Sequence, residues 1–484
     1  MRDVVIIGCG IIGAAAAYEL SKYELAVTVL EKENDVSMGA TKANSAIIHA
    51  GYDPEPGTLM ARLNVEGSGL AKQLCGQLNV PHRQCGSLVL AFSAEERLTL
   101  ERLFQNGEAN GLDNLEIINK RRILEIEPNI SENVAAALYA PSAMIIGPWE
   151  YALALAETAV LNKVEIKLSC MVENIEKITG GYRLGTSRGA VESRFIINAA
   201  GVYADKVHNM VSKPAFQIFP KRGEYYLLDK SEGARVGHVI FQCPTDRGKG
   251  VLVAPTVHGN LIAGPNSEIP NDCQDVSTTI EGLETVRRAA QKSVPGIDFR
   301  TSIRNFSGNR AQSDRGDFII EEAVDAKGFI DLAGIKSPGL SAAPAVAKMA
   351  VGLLQKSGLI TREKRDFQTM RKKPAFSGLA PADKAAAAAQ DPAYGHVICR
   401  CETVTEGEIR DALESPIPPR SVDGIKRRVR AGMGRCQGGF CGPRVLSILS
   451  EYYKCTPLDI LQDGAGTYIL TAETKNGGET RERQ

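Results

Sequence analysis

The sequence has 484 residues, too many for one ordinary hydrophobic core, so two or three domains are expected. It is 43% hydrophobic and 24% charged, the balance of a globular protein, and its formal net charge is zero. A neutral chain has no global field to favour nucleic acid or a membrane surface, and no apolar run reaches the length of a membrane span.

The opening "MRDVVIIG" reads as a strand with no room for a signal peptide, so a cytoplasmic location is expected. Eleven cysteines in that compartment argue against a disulfide framework. Most are scattered, but Cys399, Cys401, Cys436 and Cys441 are clustered.

From the start, "DVVIIGCGIIGAAAAYELSKYELAVTVLEKE" gives a short apolar strand, then Gly8-x-Gly10-x-x-Gly13, an alanine-rich helix and a second strand, "AVTVLE", ending at Glu31. This is a βαβ unit with a dinucleotide fingerprint in its expected place. Gly8 permits the tight turn, Gly10 lets a pyrophosphate approach, and Gly13 lets helix and strand pack closely. The helix N-terminus offers N–H groups to phosphate, and Glu31 can accept from ribose hydroxyls. The fingerprint alone leaves FAD and NAD both open.

Three later segments are more informative. "GATKANSAIIHAGYD", residues 39–53, is small, polar and glycine-bounded, and contains Thr41, Asn44, Ser45 and His49. "RFIINAAGVYAD" reads as a buried strand running into Ala200 and Gly201, where backbone can approach a ligand. "DLAGIKSPGLSAAPAVAKMAVGLL" is a strand, a turn at residues 336–340 and a helix, which places N–H groups where a flavin's electron-rich edge can use them.

In this order these segments resemble the FAD-dependent oxidoreductases of the D-amino-acid oxidase and glycerol-3-phosphate dehydrogenase superfamily. The resemblance covers roughly residues 1–360. "NSAIIHAG", "GPWEYALALAE", "KRGEYYLLD", "PTVHGNLIAGPN" and "GIKSPGLSAAPA" look like blocks of its anaerobic-type glycerol-3-phosphate dehydrogenase and L-2-hydroxyglutarate dehydrogenase branches. It implies an FAD site lined by Gly8, Gly10, Gly13, Glu31, Lys32, Thr41, Asn44, Ser45, Val172, Ala200, Gly201, Lys336, Pro338, Gly339 and Leu340. Lys336 departs from the acidic or neutral residue usual there.

Between the flavin blocks, "RGEYYLLD", "GVLVAP" and "NLIAGP" alternate as strands with Pro and Gly turns, which predicts a mostly antiparallel sheet over the flavin. Arg222, Tyr225, His258 and Arg310 are its candidates for a small anionic substrate, because a guanidinium fork binds two oxygens at once. For the two arginines the choice rests mostly on the resemblance. Oxidising a secondary alcohol also needs a base for the hydroxyl proton, and a neutral imidazole suits that near pH 7. Among six histidines, His49 and His258 fall in the family-like blocks, and related enzymes place a histidine at the His49 position beside the ring.

After residue 360 the chain becomes charged, then Pro- and Ala-rich, which predicts a linker with a short helix. Cys399-x-Cys401 and Cys436-x₄-Cys441 follow, a thiolate-ligand pattern suited to zinc or an iron–sulfur cluster. Glycines at 434, 438, 439 and 442 expose N–H groups for cluster sulfurs, and a helix begins just after Cys441. Lys426, Arg427, Arg428, Arg430 and Arg435 are expected to offset cluster charge or to form a docking face for an acidic redox partner. The pattern resembles the small helical [2Fe–2S] domain of bacterioferritin-associated ferredoxin, with a wider second spacing.

The expected fold is α/β. A Rossmann-type FAD-binding domain (about 1–80, 145–210 and 330–365) carries an inserted, mostly antiparallel substrate domain (about 81–144 and 211–329). A linker at 366–396, a helical [2Fe–2S] domain at 397–460 and a tail at 461–484 follow. The expected function is a dehydrogenase for a small anionic secondary alcohol, first sn-glycerol 3-phosphate, that passes electrons from FAD through the cluster to a partner protein. A 2-hydroxy acid is the runner-up substrate. A flavin/iron–sulfur electron-transfer subunit without a substrate of its own is the alternative of another class. An oligomer is also expected.

Overall fold

The strand Arg2–Ile7 is apolar and buried from Val4 to Ile7, the pattern of a parallel α/β layer covered on both faces. In the computed structural model, which describes residues 1–244, 250–369 and 376–474, this strand lies at the centre of an eight-stranded sheet. It pairs in parallel with Val27–Leu30 on one side and Gly189–Asn198 on the other. Glu165–Lys167 and Phe329–Ala333 extend the parallel part. An antiparallel pair, Val172–Ile178 and Gly181–Thr186, continues from the Gly189–Asn198 strand. The helices Ile11–Leu20 and Gly339–Lys356 pack on this sheet, and Pro148–Leu161 and Leu59–Gln77 pack in turn on those two.

A second eight-stranded sheet draws on two stretches of chain, residues 87–140 and 218–313. It is antiparallel apart from the pair Val239–Gln242 and Ser87–Ala91. The segments read as alternating strands are strands here: Ile218–Leu228, Leu252–Pro255 and Leu261–Gly264. Apolar clusters fill both of its faces, one around Val89, Leu138 and Phe241, the other around Leu88, Ile240 and Val286.

These elements form one compact unit, Met1–Lys32 with Val36–Arg371; the second unit comprises Glu33–Asp35 with Lys372–Gln484. In the second unit the helices Glu406–Leu413, Val422–Val429 and Gly442–Tyr453 surround a core that includes Ile409, Ile425, Val445 and Leu449. Thr405 opens the first of them with a capping box: its hydroxyl accepts from Glu408, whose carboxylate accepts from Thr405 N–H. The expected linker holds the helix Pro381–Gln390. The start of the expected tail is tied down, with Leu461 bridging Ser421 and Tyr468, whereas residues 475–484 lie outside the described ones. Among the described residues no helix is long and apolar enough to cross a membrane.

One crossing within the first unit matters for the site. Helices Leu59–Gln77 and Gly339–Lys356 meet at Gly67, where a Cβ would overlap the Ser341 carbonyl and come within 2.7 Å of Ala342 Cα. Gly67→Ala should therefore push the helices apart and lower stability by about 1–3 kcal/mol. Thermal unfolding of the FAD-loaded protein measures this, and an unchanged melting temperature is the contrary result.

Candidate active site and cysteine centre

The fingerprint glycines bring three stretches of backbone together with no side chain between them. Gly8 sits at φ +96°, and a Cβ there would lie 2.7 Å from the Ala199 carbonyl oxygen. A Cβ on Gly13 would overlap the Gly8 carbonyl, so the helix rests directly on the turn. Gly10 is the N-cap and has no side chain to offer, so Thr41 serves instead: its hydroxyl accepts the Ile11 N–H at 2.9 Å. The Glu31 carboxylate, buried at the end of the second strand, accepts the Cys9 N–H at 2.6 Å and so stands beside the turn. A side-chain-free turn, a helix N-terminus and an adjacent buried acid are the parts that a dinucleotide pyrophosphate and ribose require, and these residues fit FAD.

The other expected cofactor residues border this turn or structure its neighbours. Lys32 lies 4.4 Å over the Tyr203 ring, next to Ala200 and Gly201 at the end of the Gly189–Asn198 strand. Asn44 clamps its own loop, donating to the carbonyls of Ala40 and Thr41 and accepting the Ala46 N–H. Val172 is buried at the head of its strand. The Lys336 carbonyl accepts the Gly339 N–H, which closes the turn that leads through Pro338 into the helix holding Gly339 and Leu340.

His49 is held from three directions by serines. Its N–H donates to Ser341 Oγ at 2.8 Å, its carbonyl accepts from Ser68 Oγ at 2.6 Å, and its ring Nε2 lies 3.2 Å from Ser337 Oγ. The ring stacks on Phe241 with centroids 5.8 Å apart. Ser337 and Ser341 belong to the segment expected at the flavin, so the imidazole is fixed against that segment. Both serines stand in the quoted "GIKSPGLSAAPA", but only the tertiary structure reveals their contact with His49.

The second sheet brings some expected substrate residues together and separates others. The strands Ile218–Leu228 and Ser302–Ser313 pair with Tyr225 opposite Phe306, Gly223 opposite Gly308, Arg222 opposite Asn309 and Lys221 opposite Arg310. Side chains alternate between faces, so Tyr225 and Arg310 share one face while Arg222 and Glu224 take the other. On the first face a Cβ on Gly308 would overlap Ala43, and Ser45 Oγ lies 3.2 Å from the Tyr225 hydroxyl. Arg310 crosses over Gly223 and donates to the Asn266 carbonyl. Burial pushes the Tyr225 phenol up, against the opposing pull of Arg310 and the Ser45 hydrogen bond.

Of the two candidate arginines, only Arg310 therefore shares a face with Tyr225. Arg222 is buried on the opposite face, where its guanidinium meets Asp275 at 2.5 Å, Ser277 at 3.2 Å and Glu224 at 3.5 Å. His258 occupies the turn after Leu252–Pro255, and its Nε2 meets Glu150 Oε2 at 2.8 Å in the first turn of Pro148–Leu161.

In the second unit the four clustered cysteines stand as two pairs. Cys401 and Cys436 have sulfurs 3.8 Å apart, and Cys441 hydrogen-bonds Cys399. The Cys441 hydrogen bond, joined by N–H groups of Gly432, Glu402 and Cys401, holds the Cys399 thiol low. That same bond pushes the Cys441 thiol up. Phe440 N–H, with Gly438 N–H, lowers Cys436. Gly434 leaves no room for a side chain, since its Cβ would overlap that of Cys401. Two pairs ringed by amide donors fit a [2Fe–2S] cluster, whose irons take two thiolates each.

The basic run does not form the expected docking face. Arg427 and the side chain of Arg428 are buried, and they bond the Asp35 carboxylate at 3.0 and 2.9 Å. Arg427 also meets Asp463 at 2.6 Å, Arg430 meets Glu402 at 3.0 Å, and Lys426 meets Asp423 at 3.6 Å. Of the five, Arg435 alone is exposed. Burial opposes ionisation of Asp35, but Arg428 and then Arg427 outweigh it and hold the carboxyl at about 2.

Residues 3–353 match the FAD dependent oxidoreductase family, and residues 397–451 match the BFD-like [2Fe-2S] binding domain. The chain is 50% identical over 477 residues to a glycerol 3-phosphate dehydrogenase of Caloramator mitchellensis, covering 98% of this chain and 99% of the relative. It is 28% identical over 401 residues to the mitochondrial L-2-hydroxyglutarate dehydrogenase of Mus musculus, covering 71% of this chain and 86% of that one. The solved structure of dithionite-reduced L-alpha-glycerophosphate oxidase from Mycoplasma pneumoniae with FAD bound superimposes with a TM-score of 0.74 at 32% identity, covering 77% of this chain and 99% of that one.

Because Asp35 ionises more readily folded than unfolded, its contribution to stability is complete above its unfolded pKa of about 4 and is lost as pH falls towards about 2. Asp35→Ala leaves Arg428 and Arg427 buried without that partner and should cost the second unit about 3–5 kcal/mol. Unfolding of the full chain, followed at pH 7 and pH 3 by circular dichroism, checks both the loss and its shrinkage in acid.

The fingerprint turn, the clamped histidine and the paired cysteines thus sit in a chain that belongs to the FAD dependent oxidoreductase family and carries a C-terminal BFD-like [2Fe-2S] binding domain.

Proposed function

We propose that the protein is a cytoplasmic dehydrogenase that oxidises sn-glycerol 3-phosphate to dihydroxyacetone phosphate and delivers the electrons to a partner protein. The Caloramator relative, similar over nearly the whole chain, supports that substrate. The single observation that carries the chemistry is the clamp on His49, which holds one imidazole against the Ser337–Ser341 segment. When bound, FAD supplies the two-electron oxidant, and the [2Fe–2S] centre supplies transfer of one electron at a time.

His49 Nε2 is the atom assigned to take the hydroxyl proton. Ser337 Oγ, 3.2 Å away, orients the ring and keeps that nitrogen directed at the flavin-side turn. Arg310 is the assigned anion clamp, with Tyr225 and Ser45 completing the same wall. Arg222 is assigned to hold the Asp275 loop, and His258 to pin the first turn of the Pro148 helix through Glu150. Residues 1–365 are assigned to the oxidoreductase and 397–460 to the cluster domain. The Mus musculus relative favours a second reading, a 2-hydroxy acid as substrate, in which Arg310 meets a carboxylate.

Anaerobic mixing of the FAD-loaded protein with phosphorylated polyols, hydroxy acids and amino acids separates these readings. Glycerol 3-phosphate should bleach the flavin fastest; preferential bleaching by L-2-hydroxyglutarate would establish the second. His49→Ala should keep FAD bound but slow bleaching by about 10²-fold or more, the share of a general base. Arg310→Ala should raise the substrate concentration for half-maximal rate by about 10²-fold while leaving flavin content unchanged. Near-normal reduction in His49→Ala removes that residue from the mechanism.

A further inference from the structure

Behind His49 lies a small cavity with room for about one water molecule. His49, Tyr52, Asp53, Asn64 and Pro338 line it. Asn64 is fully buried, and neither its amide nitrogen nor its amide oxygen has a hydrogen-bond partner. An amide taken out of water without partners is costly, and native interiors almost always satisfy one, often through an ordered water. Asn64 can serve as both donor and acceptor for such a water.

The helix Leu59–Gln77 explains why this amide faces the histidine. Asn64 and Ser68 are four residues apart and share a helix face, and Ser68 donates to the His49 carbonyl at 2.6 Å. Gly51 completes the wall: it sits at φ +131°, and a Cβ there would lie 2.6 Å from Val65 Cγ2 and 3.4 Å from Asn64 Nδ2. Asp53 also lines the cavity and is only partly buried.

We propose that Asn64 holds an ordered water that carries the proton taken up by His49 to Asp53 and out to solvent. This rests on His49 acting as the base. The substrate O–H bond breaks and its proton goes to Nε2, while the C–H hydrogen leaves with its electron pair to FAD. The imidazolium then gives up a proton through its other ring nitrogen, Nδ1, to the water. The water in turn gives one to the Asp53 carboxylate, which releases it. One proton enters the relay and one leaves, and no oxidant beyond the flavin is needed. Asn64 is thus a positioning residue and His49 the catalytic one.

The test compares anaerobic flavin reduction by glycerol 3-phosphate in H₂O and D₂O for the wild type, Asn64→Leu, Asp53→Asn and His49→Ala, all FAD-loaded. Asn64→Leu should slow reduction about tenfold and enlarge the solvent isotope effect, with a melting temperature equal to or above the wild type's. Asp53→Asn, at a partly exposed position that tolerates the change, should show the same kinetic signature and recover with added formate. A high-resolution crystal structure of the holoenzyme should show a water bonded to the Asn64 amide. Wild-type rates and isotope effects in both variants, or a dry cavity, overturn the relay while leaving His49 as base. Near-normal reduction in His49→Ala overturns the base assignment and the relay with it.

Discussion

One short stretch, residues 39–49, joins the parts of the first unit that chemistry needs together. Thr41 caps the cofactor helix, Ala43 lies directly under Gly308 of the substrate sheet, Ser45 meets Tyr225, and His49 is bound to Ser337 and Ser341. Each contact is short and made by a small residue, so none can move without another. Such over-determination is how a fold holds a reacting geometry that isolated side chains cannot. Gly308 is the tightest point of the assembly, since any side chain there would lift the sheet from the Ala43 carbonyl.

The second unit solves a different problem, the placement of charge in a small core. Asp35 gathers two buried guanidinium groups, and Asp463 shares one of them. Buried ion pairs of this kind contribute little net stability compared with apolar packing, yet removing one partner strands the other. Their effect here is to fix the Val422–Val429 helix, which precedes the cysteine loop. Around the sulfurs the electrostatics come from neutral donors instead, the amides of Gly432, Glu402, Cys401, Gly438 and Phe440. Backbone amides stabilise thiolates and cluster sulfurs without adding a titrating group.

What could be read from the sequence follows from how local each feature is. The βαβ turn is encoded within thirty-odd residues, because strand, glycines, helix and acid are consecutive, and the structure reproduces it element for element. The helix after Cys441 is equally local, whereas the sulfurs that meet, Cys401 with Cys436 and Cys399 with Cys441, join the two cysteine motifs across the fold. The partners of the basic run are hidden from a local reading for the opposite reason: the carboxylate that binds Arg427 lies 392 residues away in sequence. Arg222 and Arg310 sit on neighbouring strands, and only the register, with Arg222 opposite Asn309, puts them on opposite faces. The serines around His49 and the unpaired amide of Asn64 carry no sequence signal at all, since Ser and Asn in helices and turns are ordinary. Their role emerges only when the Leu59 and Gly339 helices cross at Gly67.

The central claim is that substrate oxidation and the iron–sulfur centre belong to one electron route. The most direct measurement is electron paramagnetic resonance after anaerobic addition of glycerol 3-phosphate to protein carrying both cofactors. The account predicts a reduced-cluster signal in the wild type that grows as flavin absorbance falls, and no such signal in Cys436→Ala. A flavin fully bleached by substrate beside a cluster that stays oxidised until dithionite is added would contradict it.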